Sequence, residues 1–462
     1  MQDSREDQMK TSNRSPLRRT TSAIVGLLLM IVILVGALFL QLGEGNLDRL
    51  STSVMGSLRG DAVEAKPSGE TVLYVWAGPR DPEAAPQDQT ASPKPHTTDQ
   101  GTHAQNPGAN TGSPNDVLVT IDLQTKRVIH VLDVGSADNE PHHTTICKDH
   151  LFASGLHSGS VFIFDLKAPR TPKLVKIIEG KQYDVGHADD IYCLPDDRIL
   201  ISMMSSADGS QSGRVLELGP DFNVRAAHTK QPPEAFNPHG LAVDYAGNRM
   251  VTTDFFEAKS IAERAPRFRN TVRVWDLEKF EIIQTVQVGL GPMEIAGIPG
   301  DPDGRAVVTN TAEGSLGVVG RDSSGKYVYK TMIDMDGDTN NSVPGGARIS
   351  KDGKSLWVAL YGFGEVRRYD ISDPEHPKLL ATGRAGIGTH YLRVTPDQKH
   401  VYASNYFVQD IEGWFLPYPD LKVWRFDAET MQGEELMNFG ADTTDPLLKK
   451  YAPLQPHGIE VK

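Results

Sequence analysis

One short unit recurs along this chain and limits what it can fold into. It is a histidine set just before an apolar run. Pro456-His457-Gly458-Ile459-Glu460-Val461 nearly repeats Pro238-His239-Gly240-Leu241-Ala242-Val243, and Gly388-Thr389-His390-Tyr391-Leu392 is a third version. Pro141-His142-His143-Thr144 and Gly186-His187-Ala188-Asp189-Asp190-Ile191 are looser versions. Aligned on the apolar run, the corresponding positions are His142, His187, His239, Met293, Gly345, His390 and His457, spaced 45, 52, 54, 52, 45 and 67 residues apart. Between them lie pairs of alternating strands, such as SVFIFDL with KLVKIIEG and TVRVWDL with EIIQTVQVG. Periods of roughly 40–50 residues with four strands each are the mark of a β-propeller.

Counting strands sharpens this. Six sets of four are complete, and one inner strand carrying His457 is left over at the C-terminal end. Its missing partners, ETVLYVW (starting at Glu70), DVLVTIDL and VIHVLDVG, stand at the other end. The expectation is therefore an all-β, seven-bladed propeller over 70–462, with one blade closed by N- and C-terminal strands. Residues 79–114, rich in Pro, Thr, Gln and Gly without apolar periodicity, read as an insertion rather than a packed element.

Ahead of the propeller, Ala23–Leu42 is an apolar run of bilayer-spanning length. Arg14, Arg18 and Arg19 precede it, and Glu44 and Asp48 follow. This bias places 1–22 in the cytoplasm, 23–42 in the membrane as an uncleaved signal anchor, and 43–69 as a linker to a propeller in the periplasm or extracytoplasmic space. The formal net charge of −13 argues against nucleic-acid partners. The two cysteines, Cys147 and Cys193, make no framework and are expected as buried free thiols. The sequence gives no oligomeric state.

In a propeller the first strand of each blade lines the central channel, so equivalent residues converge on the axis. His142, His187, His239, His390 and His457 should ring one channel mouth. Neutral imidazole is the commonest metal ligand, and register rather than abundance carries the inference. His143 neighbours His142, and alternation would let only one of the two reach the axis unless the strand bends. Glu294 could bind the metal or accept an imidazole N–H bond, and Asp189 and Asp190, acidic neighbours of His187, could support the ligands from behind. His96 and His103 fall in the insertion and His157 on a loop, and none is given a role. Two long loops, 254–270 and 405–419, carry Phe255, Phe256, Tyr406, Phe407, Trp414, Phe415 and Tyr418, which could roof an apolar substrate pocket. No nucleophile motif, phosphate loop or dinucleotide fingerprint is present.

Several segments resemble the selenium-binding protein family, which includes methanethiol oxidases. They are Pro141-His142-His143 after a DVG strand, FIFDLKAPRTPKLVKIIE, HADDIYCLPDDRILIS, NTVRVWDLEKFEIIQTVQVG with PMEI, YDISDPEHPKL and the late YPDL. The resemblance covers roughly residues 115–462. It implies a seven-bladed propeller carrying copper, with selenium binding a further possibility. It also implies oxidation of methanethiol with O2 and water to formaldehyde, hydrogen sulfide and hydrogen peroxide. The histidines matching family motifs are His142, His143, His187, His390 and His457, with His239 added from the internal repeat. His142, His187 and His390 are the expected catalytic centre of an oxidase that takes a small thiol and O2. The alternative is a non-catalytic, membrane-tethered metal-binding or protein-binding propeller. A different metal, such as iron held by four histidines, is a third possibility.

Overall fold

The short apolar runs bounded by Gly, Pro, Asp and Asn form strands β1 to β28 in a computed structural model. The structure describes residues 72–80, 115–228, 236–257, 259–260, 267–335, 341–406 and 419–462. The apolar segment Ala23–Leu42, the stretch 43–69 and all but the first two residues of the expected insertion lie outside them. Among the described residues no helix is long and apolar enough to cross a membrane.

The strands assemble into seven four-stranded antiparallel sheets. The innermost are β4 (Pro141–Cys147), β8 (Gly186–Cys193), β12 (Pro238–Asp244), β16 (Pro292–Gly297), β20 (Pro344–Ile349), β24 (Thr389–Val394) and β28 (Leu454–Val461). Five of these segments carry proline at the strand start or just ahead of the ring residue: Pro141, Pro238, Pro292, Pro344 and Pro456. A missing N–H and a fixed φ are tolerated there. The seventh sheet runs β28-β1-β2-β3, with β1 (Val72–Pro79), β2 (Val117–Asp122) and β3 (Arg127–Asp133). Leu73 faces Val461 and Val75 faces Ile459, and the backbones of Val72 and Lys462 exchange two hydrogen bonds of 3.0 Å. The expected closure by the two ends of the propeller is therefore present. Of its first strand, expected from Glu70, Glu70 and Thr71 lie outside the described residues, and the rest runs from Val72 to Pro79.

The core lies between the blades. Phe152, Val161 and Ile163 of one sheet pack on Ile199, Ile201 and Leu216 of the next. Tyr74, Trp76 and Leu118 meet Leu151, Phe162 and Phe164 in the same way. Each sheet therefore buries both faces, and β1 is buried from Val72 to Gly78. Alternation survives only on the outermost strands, as in Lys173–Glu179.

The cysteines correct the sequence reading. Cys147 and Cys193 are not free thiols but form a disulfide, with Cα atoms 6.0 Å apart and a sequence separation of 46. They end adjacent inner strands, so residues about one blade period apart come side by side.

Candidate metal centre

The site is made by a defect repeated in every blade. On each inner strand the pairing register slips at one point. Pro141 pairs with Gly155 and Thr144 with Ala153, so His142 and His143 together oppose the single residue Ser154. The same slip occurs at Asp189-Asp190, His239-Gly240, Met293-Glu294, Gly345-Gly346, His390 and His457-Gly458. A bulge re-aims side chains that a regular strand would send to opposite faces. This is why both His142 and His143 reach the centre, with rings stacked at 4.6 Å and 11°. The result is two stacked tiers around the axis. One holds His142, Asp189, His239, Met293, Gly345, His390 and His457. The other holds His143, Asp190, Glu294 and Tyr391.

Hydroxyls on the second strands fix the bulges. Ser202 Oγ accepts from Asp190 N (2.9 Å) and donates to His239 O of the next blade (2.6 Å). Thr253 Oγ1 accepts from Gly240 N (2.8 Å) and donates to Met293 O (2.7 Å). Ser404 donates to His457 O (2.6 Å), Ser154 donates to His143 O (3.2 Å), and Thr309 accepts from Glu294 N (3.1 Å). Gly458 is required by close approach, since a Cβ there would lie 2.5 Å from His142 O.

Asp189 sits at the middle, fully buried. Its oxygens lie 3.0 Å from His143 Nδ1, 3.0 Å from His239 Nε2 and 3.5 Å from His142 Nε2. Glu294 Oε1 stands 3.6 Å from both His143 Nε2 and His239 Nδ1. These contacts are within ion-pair range. Even so, both Asp189 oxygens, Glu294 Oε1, His142 Nε2, both His143 nitrogens and His239 Nδ1 lack an aligned hydrogen-bond partner. His457, 4.2 Å from the His142 ring, also has two unpartnered nitrogens. Buried polar atoms left unpaired are costly. Among the described residues, three groups have ligand atoms within 4.8 Å of one another: His142, His143 and His457; His142, Asp189 and His239; His143, Asp189 and Glu294.

Electrostatics agree with a cation site. Burial drives the His143 imidazole down to about 3, against the pull of Asp189 and Glu294. Burial, reinforced by neighbouring imidazoles, holds His390 and His457 well below the ordinary histidine range. Burial also works against a charge on His239, yet Asp189 keeps it above its ordinary value. Burial opposes the Asp189 carboxylate, but His239, His143 and His142 outweigh it and hold the group well below the usual range. Three imidazoles converging on one buried carboxylate, with aligned partners missing between them, suit a divalent transition metal.

The family model described as 56kDa selenium binding protein matches residues 106–409, more than half of the chain. The chain belongs to that family. A methanethiol oxidase from Hyphomicrobium sp is 29% identical over 313 residues, 63% of this chain and 72% of that one. A methanethiol oxidase of Rattus norvegicus is 28% identical, covering 60% of this chain and 67% of its own. Selenium-binding protein 2 of Mus musculus is 27% identical over 62% of this chain and 68% of its own. Among solved structures, a hypothetical selenium-binding protein from Sulfolobus tokodaii superposes with a TM-score of 0.66 at 18% identity, covering 86% of this chain and 94% of that one. That likeness concerns the fold.

Of the histidines expected at the channel mouth in this selenium-binding family member, His142, His143, His239, His390 and His457 come together. His390 lies 5.1 Å from His457, ring to ring. His187 does not share their register. Asp189 occupies its blade's ring position, and His187 lies two residues earlier, at φ +55°, with Nδ1 2.6 Å from Ser205 Oγ. Aligning the HADD motif on its histidine misplaces the register, because the bulge falls on its two aspartates. In five of the seven blades a Ser or Thr on the second strand (Ser154, Ser202, Thr253, Thr309, Ser404) marks the bulge and is the signal that sets it; Ala359 and Trp76 stand there in the other two.

Tyr406 and Phe255 do stand at the cluster. Tyr406 stacks on His457 at 3.6 Å and 5°, and Phe255 meets His239 edge-on at 5.1 Å. Phe256 packs with Phe255, Met204 and Met293. Phe407, Trp414, Phe415, Tyr418, His96 and His103 lie outside the described residues. Sequence reasoning missed two features. One is Tyr391, whose ring is flanked by Arg348 (5.0 Å) and Arg393 (5.7 Å) and lies 4.8 Å from His143. The other is a cavity of about 1000 Å³ lined by Asp190, Glu294, Arg348, Arg393, Thr145 and Cys193, reaching the carboxylates of the second tier.

Proposed function

We propose that this protein is an oxidoreductase of the methanethiol oxidase type that acts on a small thiol at a copper ion held in the propeller channel. The observation that carries the reading is the convergence of His142 Nε2, His239 Nε2 and His143 Nδ1 on the buried Asp189 carboxylate, with no aligned hydrogen bond at either carboxylate oxygen. These residues would hold the ion, together with His457 and His390. Copper would supply the affinity for a soft thiolate sulfur and the one-electron steps between thiol and O2. The names of the relatives support the same chemistry. One methanethiol, one O2 and one water give one formaldehyde, one hydrogen sulfide and one hydrogen peroxide, with carbon oxidised and O2 reduced by two electrons.

The chain's own residues do the rest. The Glu294 carboxylate, 3.6 Å from His143 Nε2 and His239 Nδ1, favours a proton on those two nitrogens and leaves their other nitrogens, which face Asp189, for the ion. Arg348 Nη1 lies 3.5 Å from Glu294 Oε2 and pairs with that carboxylate from the other side. Burial excludes bulk water from the imidazoles, and the cavity beneath gives small molecules a way to the second tier. The proposal extends to location: Ala23–Leu42 would anchor the propeller on the outer side of the cytoplasmic membrane.

The test is metal analysis, electron paramagnetic resonance and methanethiol turnover on the purified full chain. Copper near one equivalent, a nitrogen-coupled spectrum and release of hydrogen sulfide are expected. Asp189→Asn together with His239→Ala should remove copper and lower turnover by roughly 100-fold or more, the scale on which lost ligands and their supports act. Wild-type protein that binds no copper, or a double variant that keeps full turnover, would sink the proposal.

A further inference from the structure

The ring histidine His142 is held from behind by Glu140, which no sequence motif pointed to, and by Tyr406, expected only as part of an aromatic roof. Tyr406, at the end of a blade on the far side of the closing sheet, reaches back to place its hydroxyl 3.2 Å from His142 Nδ1. The same hydroxyl donates to Glu140 Oε1 at 2.7 Å. All three groups are buried. A phenol has one proton to give. Since Tyr406 gives it to Glu140, it can only accept from His142. His142 then donates from Nδ1, and its Nε2 faces Asp189 at 3.5 Å, where that atom has no aligned partner.

The backbone at Glu140 gives a second, independent observation. In five blades the residue two before the ring position is left-handed: Glu140 (φ +51°), His187 (+55°), Gly291 (+69°), Val343 (+47°) and Gly388 (+90°). Glycine takes this conformation freely, and two blades use it. Glu140 takes it despite its Cβ, and despite standing before Pro141, where the allowed region is narrower still. Strain of this kind persists where the surroundings hold it in place, and it gathers at functional sites. Here it places a carboxylate behind Tyr406.

We propose that Glu140 and Tyr406 form an orienting relay for His142. Tyr406 is a positioning residue that fixes the imidazole as the Nδ1–H tautomer and so presets one metal ligand. The inference rests on the metal reading of the channel centre. Outer hydrogen bonds of this type carry about 10–100-fold in metal affinity.

Tyr406→Phe isolates the hydroxyl, because the ring that stacks on His457 is kept. Titration of the metal-free full chain with Cu2+ should show about 10–100-fold weaker binding and altered nitrogen hyperfine coupling, with the melting temperature of the metal-free protein little changed. Glu140→Gln, whose amide oxygen still accepts from Tyr406, should recover most of the affinity, and Glu140→Ala should not. The Glu140 pair decides the matter if Tyr406→Phe fails to fold. The relay can also be read without metal, from imidazole nitrogen chemical shifts. His142 should be the Nδ1–H tautomer in the wild type and a mixture in Tyr406→Phe. Wild-type copper affinity and spectrum in Tyr406→Phe, or an Nε2–H tautomer at His142 in the wild type, overturns the relay. A wild-type chain that binds no copper overturns the metal reading instead, and the tautomer measurement still decides the relay.

Discussion

At the scale of single residues, the repeat makes the imidazoles legible and hides the carboxylates. His142, His143, His239, His390 and His457 stand out because an uncommon residue recurs before an apolar run. Asp189 ranks only among the candidate accompanying carboxylates, because Asp before Ile is ordinary and His187 draws the alignment. Tyr406 cannot be assigned from sequence, since its partner Glu140 is 266 residues away. Another buried acid gives a prediction independent of the metal. Asp116 accepts from Asn139 N and Nδ2 at 3.2 and 2.7 Å, yet burial, the largest influence, pushes it up to about 7. The folded state therefore holds a proton that the unfolded chain sheds near 3.8. The stability from this group is complete below that value and drains away as pH rises through about 7. Asp116→Asn should remove that slope. The difference in unfolding free energy between variant and wild type, from urea titrations near pH 4 and pH 8, should shift by up to ~4 kcal/mol in the variant's favour at the higher pH.

The bulged inner strand is the element that matters, and its regular neighbours are easier to foresee. Alternating outer strands and apolar second strands follow directly from sequence. A bulge is an insertion relative to a partner strand, so it becomes visible only when the pairing is known. The hydroxyls that pin it are the trace it leaves. Thr253 bridges two blades, so Thr253→Val, nearly equal in volume, strands Gly240 N and Met293 O. A loss of ~1–3 kcal/mol in chemical unfolding is expected, together with weaker metal binding at His239. Replacing Ser324, an exposed turn residue, is the control and should do neither. The disulfide belongs to the same scale, because it ties the ends of two inner strands. Opening the loop by Cys147→Ser with Cys193→Ser should cost up to about 4 kcal/mol, measured as a lower melting temperature that reductant no longer changes. Treating each cysteine within its own blade misses the bond. A separation close to the blade repeat is the available clue.

For the whole molecule, the seven-blade count and the shared closing blade are readable because the surplus strand at one end matches the deficit at the other. That arithmetic yields a prediction. Deleting 455–462 removes most of β28, exposes the buried edge of β1 and takes away His457 in one step. The truncated protein should lose cooperative unfolding and Cu2+ binding together, as followed by circular dichroism and metal titration. A stable truncation that still binds copper would separate the two. The closing strand also sets an order of events. Ribosomes deliver β28 after every other strand described, and the imidazole cluster has no seventh wall until it arrives. A nascent chain that still lacks β28 thus offers scattered histidines rather than a cage. On the proposed metal reading, loading would wait for β28, so an occupied centre would certify that the ring behind it was closed.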